Sequence, residues 1–369
     1  MEAACGEGYG WPMTAMADDP VQDDAIVGED GRILLFSCAR FVRDICEGDC
    51  CFICGAPHRE DFNDEHIVPR WILRRYGLFD KEITLPTGER RKYGGYRVPC
   101  CEPCNTLLGR TVEDPVSQLL DGDAATVASR LDDKGRELLF VWLCLLFLKV
   151  HLKDGRIPVH KDRRRGDARI GEAYDWADLH HVHAVARAPY TGASLMPEVI
   201  GSLQVFEIAS ATLEGDYDYL DFTDAQTVLV RVGKIGIVAT LNDSTAAESA
   251  WSDRLDLITG PINDLQLREV AAMFALANRD LIGRPSFMTY VAHRKWAMIV
   301  AQRPPLRLKD FDPEAFGATL LFAVRNHVQA GAMEVDGTRD PEAVAKAIAT
   351  GYVRFLTHAG EFRPPGPPA

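Results

Sequence analysis

The sequence lacks a long apolar run. Its most apolar stretch, Leu138 to Leu148 (LLFVWLCLLFL), has 11 residues between Glu137 and Lys149. A helix needs about 20 to cross a bilayer, so this one is predicted to be a buried core helix and no membrane association is expected. A secretory leader is also lacking: MEAACGEGYGWPMTAMADD has neither a basic start nor an apolar centre. The chain is therefore expected to be cytoplasmic, in a reducing compartment. Positive charge is scarce as well, with 41 Lys+Arg against 54 Asp+Glu and a net charge of −13. That excludes a protein that coats nucleic acid indiscriminately, because such binding neutralises phosphates with Lys and Arg. Missing too are repeats at solenoid periods, a phosphate-cradling Gly-rich loop, a nucleophile elbow and a dinucleotide fingerprint. What remains, with 47% hydrophobic and 26% charged residues over 369 positions, is a globular chain of two domains or three.

Cysteine is not scarce. There are ten, and six fall in two tight clusters, Cys50, Cys51, Cys54 and Cys100, Cys101, Cys104. Cys51-x2-Cys54 and Cys101-x2-Cys104 are separated by 46 residues. Two such knuckles in a reducing compartment are the spacing of a four-thiolate structural Zn²⁺ site, in which one ion joins two distant segments. Cys50 and Cys100 offer adjacent alternatives whose three-residue spacing fits less well. A redox role is disfavoured, since no thioredoxin-like βαβ pattern surrounds either pair.

Between the pairs lies Asp64-Glu65-His66-Ile67-Val68-Pro69-Arg70-Trp71, and Asn105 follows the second pair directly. The order C-x2-C, acid-His-Ile-x-Pro, C-x2-C-N resembles the HNH endonucleases of the ββα-metal class that carry a four-cysteine zinc. The resemblance covers residues 50–110. It implies a β-hairpin bearing the acid-His pair and a helix starting near the second knuckle. It also implies roles: His66 as the general base for the attacking water, Glu65 and Asn105 as ligands of a catalytic Mg²⁺ or Mn²⁺. The residue types suit phosphodiester hydrolysis, since a neutral imidazole accepts a proton near pH 7 and oxygen ligands favour a hard ion. Two departures stand out. The stretch Gly94 to Pro99 has no Asn where active members carry one, and the acid is Glu rather than Asp.

Charge is uneven. Residues 1–65 carry a balance of −11, residues 66–110 of +5, and the remainder of −7. Arg70, Arg74, Arg75, Arg90, Arg91, Lys92 and Arg97 are thus candidates for contacting phosphates. The Lys161–Arg165 cluster reads as an exposed loop, and His180, His181 and His183 as core or surface histidines in a strand.

The fold expected is α+β: a flexible acidic arm (1–31), an HNH-like zinc module (32–110), a mixed domain of unassigned role (111–360) and a Pro-rich tail (361–369). Strands are predicted at His180–Ala188 and Leu203–Ala209, and at Thr227–Leu241 either a hairpin turning at Gly-Lys or a single long strand. Helices are predicted at Lys134–Lys153, Ile262–Ile282, Pro313–Ala330 and Pro341–His358. The function expected is cleavage of nucleic acid, DNA in the first instance, recruited or regulated through the C-terminal domain by a partner protein or a second copy. Antiviral defence or mobile-element biology is the setting such modules suggest. The rival expectation is a catalytically degenerate zinc module in a binding protein.

Overall fold

A computed structural model describes residues 25–60, 62–85, 88–209 and 215–365. Most of the predicted acidic arm (1–24) and the end of the Pro-rich tail (366–369) lie outside the described residues. The architecture is α+β, as expected.

In chain order, strands β1 (Ala25–Val27) and β2 (Ile33–Phe36) form an antiparallel pair, so residues 25–31 belong to a hairpin rather than to a free arm. Strand β3 (Glu65–His66) precedes helix α1 (Arg70–Arg75), which starts after Pro69. The hairpin β4 (Glu82–Thr84) and β5 (Arg90–Lys92) follows, then β6 (Arg97–Val98) and helix α2 (Glu102–Leu108). The long helix α3 (Asp133–Asp154) contains the apolar run. Its residues Leu139 to Leu148 are all buried, which makes it a core helix. No helix among the described residues is long and apolar enough to cross a membrane. Helix α4 (His180–Ala186) and strand β7 (Ser194–Leu195) come next. Strands β8 (Leu203–Glu207), β9 (Tyr217–Phe222), β10 (Thr227–Val232) and β11 (Ile235–Thr240) lead to helix α5 (Asp264–Arg279). Strands β12 (Ser286–Ala292) and β13 (Trp296–Gln302) precede helices α6 (Pro313–Gln329) and α7 (Pro341–Ala349).

These elements sort into two compact units that do not follow chain order. One comprises the chain through Ser117 with Val141–Val199 and Ser286–Ala301. The other comprises Gln118–Phe140, Ile200–Pro285 and Gln302–Ala369. The stretch read as a zinc module lies inside the first unit. That unit also takes in most of α3, α4 and the sheet β12-β13-β7, in which β13 and β7 run parallel.

The second unit is built on an antiparallel sheet of order β8-β11-β10-β9. The hairpin is there: β10 and β11 turn at Gly233-Lys234, with Val232 opposite Ile235. Helix α5 packs on this sheet through Leu267, Val270, Ala271 and Phe274. Gly236 permits the close approach, because a Cβ there would lie 2.8 Å from the Leu267 side chain. The start of α5 is held by a capping box: the Asn263 side chain accepts from the Gln266 amide and Gln266 returns the bond. Two buried ion pairs fix α5 to the sheet, Arg231–Asp264 at 3.0 Å and Arg268–Asp218 at 2.6 Å. Helices α6 and α7 complete the core with Phe316, Leu320, Val324, Val344 and Ile348.

Two expected elements differ. His180–Ala188 is helix over its first seven residues, not strand. Val182 and Val185 suggested a strand, but His180, His183 and Arg187 fall at i, i+3 and i+7, which is one helical face. The helix expected over Pro341–His358 ends at Ala349. Gly351 then takes φ +76°, and Thr357–His358 pairs with Glu361–Phe362, the first residues of the stretch read as tail.

Gly351 generates a prediction. Its φ is left-handed, and a Cβ would stand 1.7 Å from the Pro313 carbonyl oxygen at the start of α6. Gly351→Ala should lower stability by more than about 1 kcal/mol, read as a reduced urea midpoint, through both backbone strain and the clash.

Candidate metal centre and the strand beside it

The first knuckle is a tight turn. The Cys51 amide donates to the Ala56 carbonyl and the Gly55 amide to the Cys51 carbonyl, both at 2.8 Å. Gly55 has φ +75°, and a Cβ there would strike the Phe36 ring at 2.6 Å. The second knuckle opens α2: Pro103 sits in its first turn, and the Asn105 amide donates to the Cys101 carbonyl at 3.0 Å. The sulfurs of Cys51, Cys54, Cys101 and Cys104 all lie within 4.8 Å of one another. Tetrahedral zinc with Zn–S bonds of about 2.3 Å sets neighbouring sulfurs about 3.8 Å apart, so this cage needs little adjustment to close on the ion. Cys50, Cys51, Cys54, Cys100, Cys101 and Cys104 are all free thiols. Cys100, the neighbour of a cage residue, has its Sγ 4.0 Å from that of Cys51.

Electrostatics favours a cation in this cage. Hydrogen bonds from Cys100, Cys104 and Cys54 hold the Cys51 thiol far below its usual range. Its charge, through the same bonds and with burial, pushes Cys104 far up. One thiolate therefore suppresses ionisation of Cys104 and Cys54. Four can ionise together only around a metal ion, whose binding energy becomes folding energy.

A polar strap from α4 holds the first knuckle and strand β2. His183 Nε2 lies 2.8 Å from the Phe52 carbonyl, and His180 Nε2 lies 2.9 Å from that of Phe36. Arg187 Nε donates to the Ile53 carbonyl at 2.5 Å, and a second nitrogen donates to Ile33. Burial drives both histidines down, so they remain neutral. His181 points elsewhere and stacks on Phe287 at 3.6 Å. None of the three joins a metal cluster among the described residues. Histidines at helical spacing were the available signal for this strap; the carbonyls that they serve lie more than 130 residues away.

Between the knuckles, β3 pairs antiparallel with β6, so that Glu65 faces Val98 and His66 faces Arg97. With α2 this gives two short strands followed by a helix. His66 is buried and edge-on to Phe79, and its Nε2 has no hydrogen-bond partner among the described residues. Burial and then the Arg97 guanidinium bring its pKa down to about 4, with a smaller push from Arg70. It is therefore a neutral imidazole beside two exposed guanidinium groups.

Glu65 and Asn105 make different contacts. The Glu65 carboxylate, 5% exposed, accepts from Lys149 Nζ at 2.8 Å. Lys149, on α3 and 2% exposed, also donates to the His66 carbonyl at 2.9 Å and to Glu113 at 3.3 Å. Burial pushes Glu113 up to about 8 against the pull of Lys149. The Lys149 ammonium thus lies between two acids in a buried cluster. Asn105 Nδ2 donates to Asn63 Oδ1 at 2.8 Å and to the Asp64 carbonyl at 3.2 Å. Asp64 adopts φ +40°, and its Oδ1 is buried without a hydrogen-bond partner among the described residues.

The basic candidates divide. Arg70 and Arg97 flank His66, and Arg74 is exposed on α1. Arg75 lies over the Trp71 ring at 5.1 Å. On the β4–β5 hairpin, Arg90, Arg91 and Lys92 pair with Glu82, Glu89 and Asp80.

Two outcomes are expected. Metal analysis of protein prepared without chelator should find one zinc per chain, and Cys104→Ser should lose it; finding none in the wild type would remove the four-thiolate site. Lys149→Met should lower stability by about 3–5 kcal/mol in urea denaturation, because it strands the buried Glu65 charge. Compared with protein-family models, curated proteins and solved structures, the chain matches none, so what this site does is argued from its own residues.

Proposed function

We propose that the protein is a metal-dependent HNH-type endonuclease that hydrolyses phosphodiester bonds of DNA. The observation that carries this reading is His66: a neutral imidazole with an unpartnered Nε2, on the strand next to Arg97 and in reach of the Arg70 field. In the proposed reaction, Nε2 takes the proton of a water as its oxygen attacks phosphorus, and Arg70 and Arg97 hold the phosphate oxygens that gain charge. The P–O bond to the leaving oxygen then breaks, and that oxygen takes a proton from solvent. The structural zinc holds β3 and α2 in place and takes no part in the chemistry.

A catalytic Mg²⁺ or Mn²⁺ would stabilise the leaving oxygen when bound. Glu65 does not fit as its ligand, because its carboxylate is bonded to the Lys149 ammonium. Asp64, with a bare Oδ1 and its backbone carbonyl bonded to Asn105, fits better, and these two residues would hold the ion. Glu65 then acts at one remove: through Lys149 it fixes the strand that carries His66. In this reading the second compact unit serves recruitment or control of cleavage, and defence against foreign DNA is the setting that fits.

The Glu65–Lys149 pair also favours a second reading, a zinc module that binds nucleic acid or protein without cutting. Plasmid cleavage with Mg²⁺ or Mn²⁺ separates the two. His66→Ala should reduce cleavage at least about 100-fold, as loss of a general base does, while zinc content is unchanged. Asp64→Asn should likewise abolish metal-dependent cleavage. Equal cleavage by His66→Ala and wild type would refute His66 as the base. DNA retention in a gel without cleavage by wild type, with either metal, would favour the second reading.

A further inference from the structure

The second unit contains a cavity of about 220 Å³ that the proposed nuclease chemistry does not use. Its apolar wall is Trp251, Met273, Phe311 and Phe316. Trp251 meets Phe311 edge to face at 6.3 Å, and Phe311 lies 6.0 Å from Phe316. The Trp251 Nε1–H is taken by the Met273 carbonyl at 2.9 Å, so the indole offers the cavity its ring and not its donor.

Three charged side chains also line it, Glu269, Arg254 and Arg354. Glu269 is 2% exposed. Its Oε2 accepts from the Phe355 and Leu356 amides at 2.5 and 2.8 Å. Its Oε1 accepts no hydrogen bond from the described residues, and the Arg354 and Arg254 guanidinium groups act on the carboxylate through their charge. Arg354 lies over the Phe316 ring at 4.5 Å and uses only one terminal nitrogen, on the Gly351 and Val353 carbonyls. Arg254 is exposed, and its guanidinium has no hydrogen-bond partner among the described residues.

A single acceptor oxygen in the wall, unused guanidinium donors and an aromatic surface between them describe a ligand with three matching parts. We propose that this cavity binds an apolar α-amino acid. The ammonium group donates to Glu269 Oε1, the carboxylate accepts from Arg254 and Arg354, and the side chain lies against Trp251, Phe311 and Met273. The aromatic rings add attraction for the ammonium group, and guanidinium groups suit a carboxylate. One free carboxylate oxygen serves one ammonium group, whereas a nucleobase edge presents paired donors. The volume is below the roughly 300–1,000 Å³ of pockets that take drug-sized ligands, which also points to a small metabolite.

The test is calorimetric titration of the full chain with L-phenylalanine and L-leucine, alongside 3-phenylpropionate, which lacks the ammonium group, and 2-phenylethylamine, which lacks the carboxylate. At least one amino acid should bind saturably, and the two truncated analogues at least tenfold more weakly. Glu269→Gln retains an acceptor for the Phe355 and Leu356 amides and should weaken binding at least tenfold. Arg254→Ala alters an exposed side chain, leaves the fold intact and should do the same. The proposal is overturned if neither amino acid binds at millimolar concentration, if 3-phenylpropionate binds as well as L-phenylalanine, or if both variants bind like wild type. None of these outcomes depends on whether the protein cleaves DNA.

Discussion

Four thiols cannot share one small volume and all ionise. The first compact unit is organised around that constraint. Cys51 and Cys54 lie on one segment, Cys101 and Cys104 on another, and their sulfurs converge to within 4.8 Å. A divalent ion bound there would relieve the repulsion and tie together two stretches of chain that otherwise pay a large loop-closure entropy to meet. Between them hang β3, α1, the β4–β5 hairpin and β6. An ion bound there would set the distance between the strand bearing His66 and the helix bearing Asn105, and would hold strands only two residues long.

Thiolates fix the knuckles but not the orientation of what surrounds them. That is the work of buried polar contacts from distant helices. Arg187, His183 and His180 reach the carbonyls of Ile53, Phe52 and Phe36 from one face of α4. Lys149 reaches Glu65, Glu113 and the His66 carbonyl from α3. Each replaces water at a backbone or carboxylate oxygen that would otherwise be buried bare, at a cost of about 1–3 kcal/mol or more for a charged group. The long apolar helix thus tolerates one lysine in its buried stretch because two acids lie opposite it.

What was legible in the sequence follows the range of the interactions involved. The C-x2-C pairs, the β10–β11 hairpin and the helices α3, α5 and α6 are local patterns, and all were visible. The partner of Glu65 lies 84 residues away, so its role as a metal ligand rested on what the family resemblance implied. The strap was hidden for the same reason, and the β-branched Val182 and Val185 made α4 look like a strand. The two units were invisible because their segments are interleaved: Ser286–Ala301 joins the first unit through strand pairing with β7, a contact that no periodicity announces. The cavity in the second unit likewise assembles Trp251, Glu269, Phe311 and Arg354 from four separate segments of the chain.

The geometry also narrows the electrostatic footprint that composition suggested. The stretch 66–110 has a balance of +5, yet Arg90, Arg91 and Lys92 face Glu82, Glu89 and Asp80 across or beside their hairpin. Pairs this exposed are weak, each worth at most about 1 kcal/mol, and phosphates can compete for them, but their net field is small. The guanidinium groups that act on His66 are those of Arg97 and Arg70. Each phosphate neutralised contributes about 0.9 to the salt slope of duplex binding, so a contact of two gives weak, shallow-slope affinity. A nuclease of the proposed kind, carrying a net charge of −13, would be repelled by bulk DNA and held only where those two arginines bracket a phosphate in front of His66. Such an enzyme would need a second source of binding energy to act at useful concentration, and an acidic surface adds none on DNA.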